Sequence, residues 1–272
     1  RLETKALLVE ELLKNCGNDW DETTYRLVAR NFGFKVNNEP FEQLAQAIPY
    51  KTILKHIDKP IQVEAILFGQ AGFLDVEAGD DYYKLLQREY ILLSKKYNLE
   101  HSKLRKSQWR FLRLRPANFP TIRLAQLAAL LQQRGLFARI IEVEDFKSMA
   151  QIFSASPTPY WQHHYQFNKK SEQGIAGFGG FSIENLIINS VVPLLVTYGR
   201  ATDDHSFLEK ATNLLLQIPA EKNRIMRIWD DLGFIGKTAF DSQGLIELHN
   251  NFCQRRNCLN CNIGASLLKP SR

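Results

Sequence analysis

The amino-acid sequence predicts an all-α protein, an irregular multi-helix array with a short extended or strand segment near residues 160–180. Two observations lead to that fold class. Apolar residues recur at helical spacing in one segment after another, and glycine, proline or a polar cluster closes each run. No stretch repeats itself at a fixed period, which argues against a named solenoid and for an irregular array.

Taken in chain order, Leu2 to Lys14 sets Ala6, Val9, Leu12 and Leu13 among charges, and Asn15–Cys16–Gly17–Asn18 stops the helix. Asp19 is suited to cap the next helix, which carries Tyr25, Val28, Ala29 and Phe32 before Gly33 ends it. Further helices are expected from Pro40 to Ala47, Pro49 to His56 and Ile61 to Phe68. Asp80 to Tyr97 reads as a long helix with aromatic and leucine residues on one side. Pro120 to Gln133 reads as another, its proline suited to the first turn.

Between Ala155 and Phe181 the helical period is lost. Pro157 and Pro159 precede the aromatic run Tyr160 to Tyr165, and Gly174, Gly177, Gly179 and Gly180 follow. Tyr160 to Phe167 is expected as a short strand or extended loop, and the glycines as a hinge. The expected organisation is therefore a helical domain over 1–155, a linker or extended segment over 156–180, and a helical C-terminal domain over 181–272, unless the whole is one continuous domain. Ser182 is expected to cap a helix from Ile183 to Tyr198, kinked because Pro193 has no N–H for the carbonyl of Asn189. Phe207 to Gln217, Lys222 to Leu232 and Ser242 to Phe252 complete the helical reading.

With 272 residues, 44% apolar and 24% charged, the chain is long and apolar enough to bury a core without staples, and composition argues against disorder. The longest apolar stretch, Ile187 to Val196, is broken by Asn189, Ser190 and Pro193 and falls short of a membrane span, so no membrane partner is expected. No signal-type segment is present, and a start at Arg1 suggests a piece of a longer protein; the cytoplasm is the expected compartment. Four cysteines are too few for a disulfide framework. The net charge of +6 is compatible with an anionic partner such as DNA or RNA, and equally with solubility alone.

Three of the four cysteines fall within residues 253–261, and with a histidine they give His249-x3-Cys253-x4-Cys258-x2-Cys261. On a helix His249 and Cys253 share a face, while Cys258 and Cys261 form a turn-like pair that grips one ion from two sides. One imidazole and three thiolates make a closed tetrahedral shell. That composition favours structural zinc over an iron–sulfur cluster. The competing reading, buried cysteines acting as small hydrophobes, does not account for the clustering.

A second constellation is the basic stretch from Lys95 to Arg115. Its candidate nucleic-acid contacts are Lys103, Arg105, Lys106, Trp109, Arg110, Arg113 and Arg115, extended by Asn118. Cations beside aromatics bind phosphate and stack bases, whereas a solvated loop with arginine stems over apolar surface explains the same composition. Gly174 to Gly180 lacks the Gly-Lys-Ser/Thr of a phosphate loop. Asp203, Asp204 and Asp230, Asp231 lie at helix ends, where aspartates serve as caps, and His163 and His164 point opposite ways if extended. No nucleophile, base and orienter set stands out.

Four phrases carry a family resemblance: Asn31-Phe-Gly-Phe-Lys, Leu67-Phe-Gly-Gln-Ala-Gly-Phe-Leu, Arg113-Leu-Arg-Pro-Ala-Asn-Phe-Pro and Asn185-Leu-Ile-Ile-Asn-Ser-Val-Val-Pro-Leu-Leu. Through them the chain resembles an uncharacterised bacterial family, a domain of unknown function. The resemblance implies the C-terminal part of a longer protein, whose upstream portion is similar to a restriction-endonuclease-like domain. The cysteine segment partly resembles the iron–sulfur loop of endonuclease III-type glycosylases, but Leu267 stands where that family has its fourth cysteine. The expected function is thus a nucleic-acid-associated helical accessory domain with a structural metal site. The alternatives are a protein–protein interaction module and an enzyme whose pocket forms around Arg113 and Gly174 to Gly180.

Overall fold

The computed structural model describes residues 1–76, 79–172, 174, 175 and 177–268. It is an all-α irregular array with one two-stranded hairpin. Helix α1 (Leu2–Asn15) buries Ala6, Val9 and Leu13, and α2 (Trp20–Phe32) follows after Asp19, whose carboxylate accepts the Glu22 N–H at 3.0 Å. In α3 (Phe34–Ala47) the helical run begins earlier than the proline suggests and bends at Asn37. Pro40 has no N–H for the carbonyl of Val36, and the bend next to it absorbs that mismatch.

Beyond the short α4 (Tyr50–Leu54), α5 (Pro60–Gln70) is buried at every position from Val63 to Gln70, and so is all of α7 (Pro120–Leu131). These two contacting helices form the middle of the molecule. Helix α6 (Asp81–Tyr97) lies against α5, with Asp80 as its cap and Asn98 left-handed at its end. Helices α8 (Leu136–Glu142) and α9 (Phe146–Ile152) are a few turns each, too short for periodicity to reveal them.

The expected extended segment is only partly extended. Pro159–His163 forms a helical turn, α10, and β1 (His164–Gln166) then pairs antiparallel with β2 (Lys169–Lys170) around Asn168. Nor is it a spacer between two cores. Trp161 is 1% exposed, stacks on Phe68 at 4.7 Å, and belongs to one hydrophobic cluster running from Ala6 to Ala239. Of the glycine-rich hinge, positions 173 and 176 lie outside the described residues.

Helix α11 (Gly180–Leu186) starts two residues before Ser182, which is therefore inside the helix and not its cap. A π turn, Ile187–Val191, joins it to α12 (Val192–Thr202). The widened turn takes up the strain of Pro193 that would otherwise kink the helix. The whole run Gly180–Thr202 is long and apolar enough to cross a membrane. However, 67% of its most apolar window is buried within the protein, where α12 contacts α1 and α13 (Ser206–Gln217). A small second cluster, Met226, Trp229 and Ile246, joins α14 (Arg224–Asp231) to α15 (Ala239–Glu247). A second π turn, Leu248–Cys253, and a short helix, α16 (Asn262–Leu268), follow.

Candidate functional site

Beyond the last turn of α6, which holds Lys95 and Lys96, the basic stretch is an irregular loop leading to α7, seated on the end of α5. Gly72, at φ 76°, lies so close that a Cβ there would be 2.4 Å from the Leu104 carbonyl oxygen. Only glycine fits this close, left-handed position, which accounts for Gly72 within the Leu67 to Leu74 phrase. Leu104 donates its N–H to Gln70 O at 2.9 Å, and Trp109 donates its indole N–H to Ala71 O at 2.8 Å. Asn37 clamps Arg110 by both main-chain groups, at 3.0 and 2.8 Å.

That seating divides the candidate residues. Trp109 is 5% exposed and packs edge-on against Phe41, so it is a core anchor and has no face free to stack on a base, contrary to expectation. Lys103 pairs with Asp75 and lies over the Tyr90 ring. Arg105, Lys106, Arg110, Arg113 and Arg115 are exposed, and among the described residues none of the five makes an ion pair. Arg113 takes a left-handed backbone, φ 64°, beside Leu112, which is 83% exposed. Asn118 is also exposed, but its Oδ1 accepts from Arg123 at 2.6 Å.

Arg123 was not apparent as a candidate, although a lone charge in the apolar run Pro120–Leu131 is a readable signal. Its guanidinium lies 4.5 Å from the Phe34 centroid and 4.7 Å from that of Phe178. It closes a cavity of about 180 Å³ that Phe34, Leu114, Asn118 and Ser182 also line. Residues of the first and third phrases thus meet here.

The first and fourth phrases meet at the π turn. Asn31 donates from its amide nitrogen to Asn189 O at 3.1 Å and reaches Ser190 Oγ at 2.9 Å. Lys5 donates to Asn189 Oδ1 and Gln243 Oε1, each at 2.8 Å, at the edge of a cleft of about 420 Å³ that includes Arg26 and Arg30. Burial, and then the neighbouring Arg1, lower the Lys5 pKa to about 7 against the opposing pull of Glu221 and Glu247.

Glu64 is wholly buried. It accepts from the Tyr82 hydroxyl at 2.7 Å, the Trp161 indole at 2.7 Å and the Thr158 hydroxyl at 2.8 Å. Burial raises its pKa and the three donors lower it in part. It touches none of the clefts above and serves to fasten α10 to α5. Asp204 accepts the Ser206 N–H at 2.9 Å but lies one residue before the N-cap of α13, which is His205, and His164 stacks on Tyr160 at 4.0 Å.

His249 and Cys253 lie in the second π turn, Cys258 in a 3-10 turn and Cys261 just before α16. Cys253 and Cys258 are exposed, Cys261 and His249 half-buried. The His249 Nδ1 pairs with Asn250 Oδ1 at 3.0 Å, leaving Nε2 for another ligand. Among the described residues, no three His, Cys, Asp or Glu side chains converge. No residue from 251 to 266 is buried.

The chain belongs to a family described as proteins of unknown function, DUF2851, whose model matches residues 1–224. No curated protein and no solved structure matches it. The basic loop, the Arg123 cavity and the Asn31–Asn189 contact lie within the matched residues, and the Cys/His quartet lies beyond them.

Proposed function

We propose that the chain is a nucleic-acid-associated accessory domain that grips the phosphate backbone of DNA or RNA with the loop preceding α7. One observation carries this reading: Arg105, Lys106, Arg110, Arg113 and Arg115 are exposed on one short loop and, among the described residues, have no acidic partner. Cations left unpaired on a loop anchored by Leu104, Trp109 and Asn37 are held outward at little entropic cost to a phosphate ligand. With Trp109 in the core, the contact is electrostatic and not sequence-reading.

The test is fluorescence anisotropy with duplex and single-stranded oligonucleotides across a salt series. Five phosphate contacts on duplex DNA correspond to a fall of log K with log salt of slope about 4 to 5. Replacing Arg110, Arg113 and Arg115 by alanine should reduce the slope by about 3 without changing the melting temperature. Absence of binding at low salt, or a slope unchanged in the triple variant, would overturn the reading. A protein partner is the second reading, favoured by Leu112 at 83% exposed on the same loop. Leu112→Ser would weaken a protein complex and leave the salt slope intact.

The same reading includes a structural zinc clasp on His249, Cys253, Cys258 and Cys261. Its support is the absence of buried residues from 251 to 266, with Leu259 at 79% exposed, because a segment without a core needs another source of folding energy. The ligand set is then assembled as the metal binds.

A further inference from the structure

Arg123 is a buried cation with no counter-ion among the described residues. It is 5% exposed, and its hydrogen-bond partners are all neutral: Nη1 donates to Gln126 Oε1 at 3.0 Å, and Nη2 to Asn118 Oδ1 at 2.6 Å and Ser182 Oγ at 3.0 Å. Its Nε–H has no acceptor. Burial lowers its pKa to about 10, which still leaves it charged at neutral pH. Two aromatic faces and three neutral acceptors offset part of the cost of a buried charge, and an anion would offset the rest.

The adjoining cavity fits one kind of anion. Its walls are mostly apolar, from Phe32, Phe34, Val36, Leu114 and Phe181, and among the described residues lining it Arg123 is the only charged one. A single guanidinium balances one negative charge, and once a ligand oxygen replaces Asn118 or Ser182 on Nη2, that nitrogen and the unpartnered Nε–H form a planar fork that matches a carboxylate better than a phosphate dianion, which calls for a second cation. Asn118 and Ser182 line the same cavity and, by turning an amide N–H or a hydroxyl, have donors for the second oxygen. We propose that this cavity binds a small carboxylate with an apolar body, its carboxylate on Arg123 and its body among the phenylalanines. The site goes beyond the proposed nucleic-acid contact and does not depend on it.

Benzoate is the probe, with isosteric neutral benzamide and inorganic phosphate as comparisons, followed by protein NMR titration at constant ionic strength. Benzoate should saturate with a dissociation constant on the order of millimolar, and the other two should bind at least about tenfold more weakly. Arg123→Lys keeps the charge, loses the fork and should weaken benzoate by about tenfold. Should that variant fail to fold, Val36→Trp fills the cavity from a position that is 38% exposed and leaves Arg123 unchanged, and it should abolish saturation. Equal binding of benzamide, tighter binding of phosphate, or benzoate binding that survives Val36→Trp would each overturn the proposal.

Discussion

The side-chain amide of Asn31 donates to the main-chain carbonyl of Asn189 at 3.1 Å, joining two helices that are 158 positions apart in the chain. In a regular helix that carbonyl would accept from residue 193, but Pro193 has no N–H to give. The helix widens into a π turn over Ile187–Val191, and α2 supplies a donor from outside it. The proline, the π turn and the asparagine therefore form one arrangement.

It follows that the cost of losing Asn31 depends on the proline. Asn31→Ala removes a donor to the Asn189 carbonyl and should cost about 1–3 kcal/mol in chemical denaturation. In a Pro193→Ala background the restored N–H is available to the same carbonyl, so Asn31→Ala should cost measurably less. Additive losses in the double-mutant cycle would show the two to be independent.

Glu64 predicts a pH dependence of the opposite sense to that of a surface carboxylate. Burial raises its folded pKa above the unfolded value, so its contribution is complete below the unfolded pKa and is lost as pH rises through the folded one. The wild type should therefore lose stability relative to Glu64→Gln as pH rises from the carboxylate range upward. Glu64→Leu leaves the Trp161 indole N–H without its acceptor and should cost about 1–3 kcal/mol relative to Glu64→Gln at any pH, since neither variant titrates there. Parallel pH profiles of the wild type and Glu64→Gln would refute the assignment.

Most of the helices were legible because periodicity reports which face is buried, and Asp19 was legible as a cap because its chemistry is local. Trp109 and Trp161 were not legible as core. An aromatic residue in a loop sequence gives no sign of whether the loop folds inward, and the close approach at Gly72 that turns Trp109 in is a tertiary fact. The five exposed cations were legible by type, but that they have no acidic partner among the described residues depends on packing. Arg123 was visible as a lone charge in an apolar helix. What the sequence withheld is that the residues meeting it, Asn118, Gln126 and Ser182, are all neutral.

Lys5 titrates in an accessible range. At pH 7 about half of it is the free amine, against less than about a thousandth for an ordinary lysine. Trace acetylation read by mass spectrometry should give a midpoint near 7 for Lys5 and near 10 for exposed lysines. A depressed pKa also means that its contribution to stability is present above the unfolded pKa and is lost as pH falls toward the folded one. The wild type should accordingly gain stability over Lys5→Met as pH rises from about 7 to about 10. A labelling midpoint above about 9 would refute the burial argument.

The proposed zinc clasp makes a prediction confined to one end of the chain. Residues 251–266 contribute nothing to either hydrophobic cluster, so the main core should not depend on the metal. Elemental analysis of protein with reduced cysteines should give one zinc per chain, and Cys258→Ser or Cys261→Ser should remove it. Chelation should expose the segment after Glu247 to limited proteolysis, while the fragment carrying α1 to α13 keeps its melting temperature. Binding by thiolates also requires their deprotonation, so affinity should fall as pH drops below about 6. Protein with free thiols and neither zinc nor iron would sink the clasp. A melting temperature that fell with chelation would instead mean that the metal supports the main core, contrary to the burial pattern of residues 251–266.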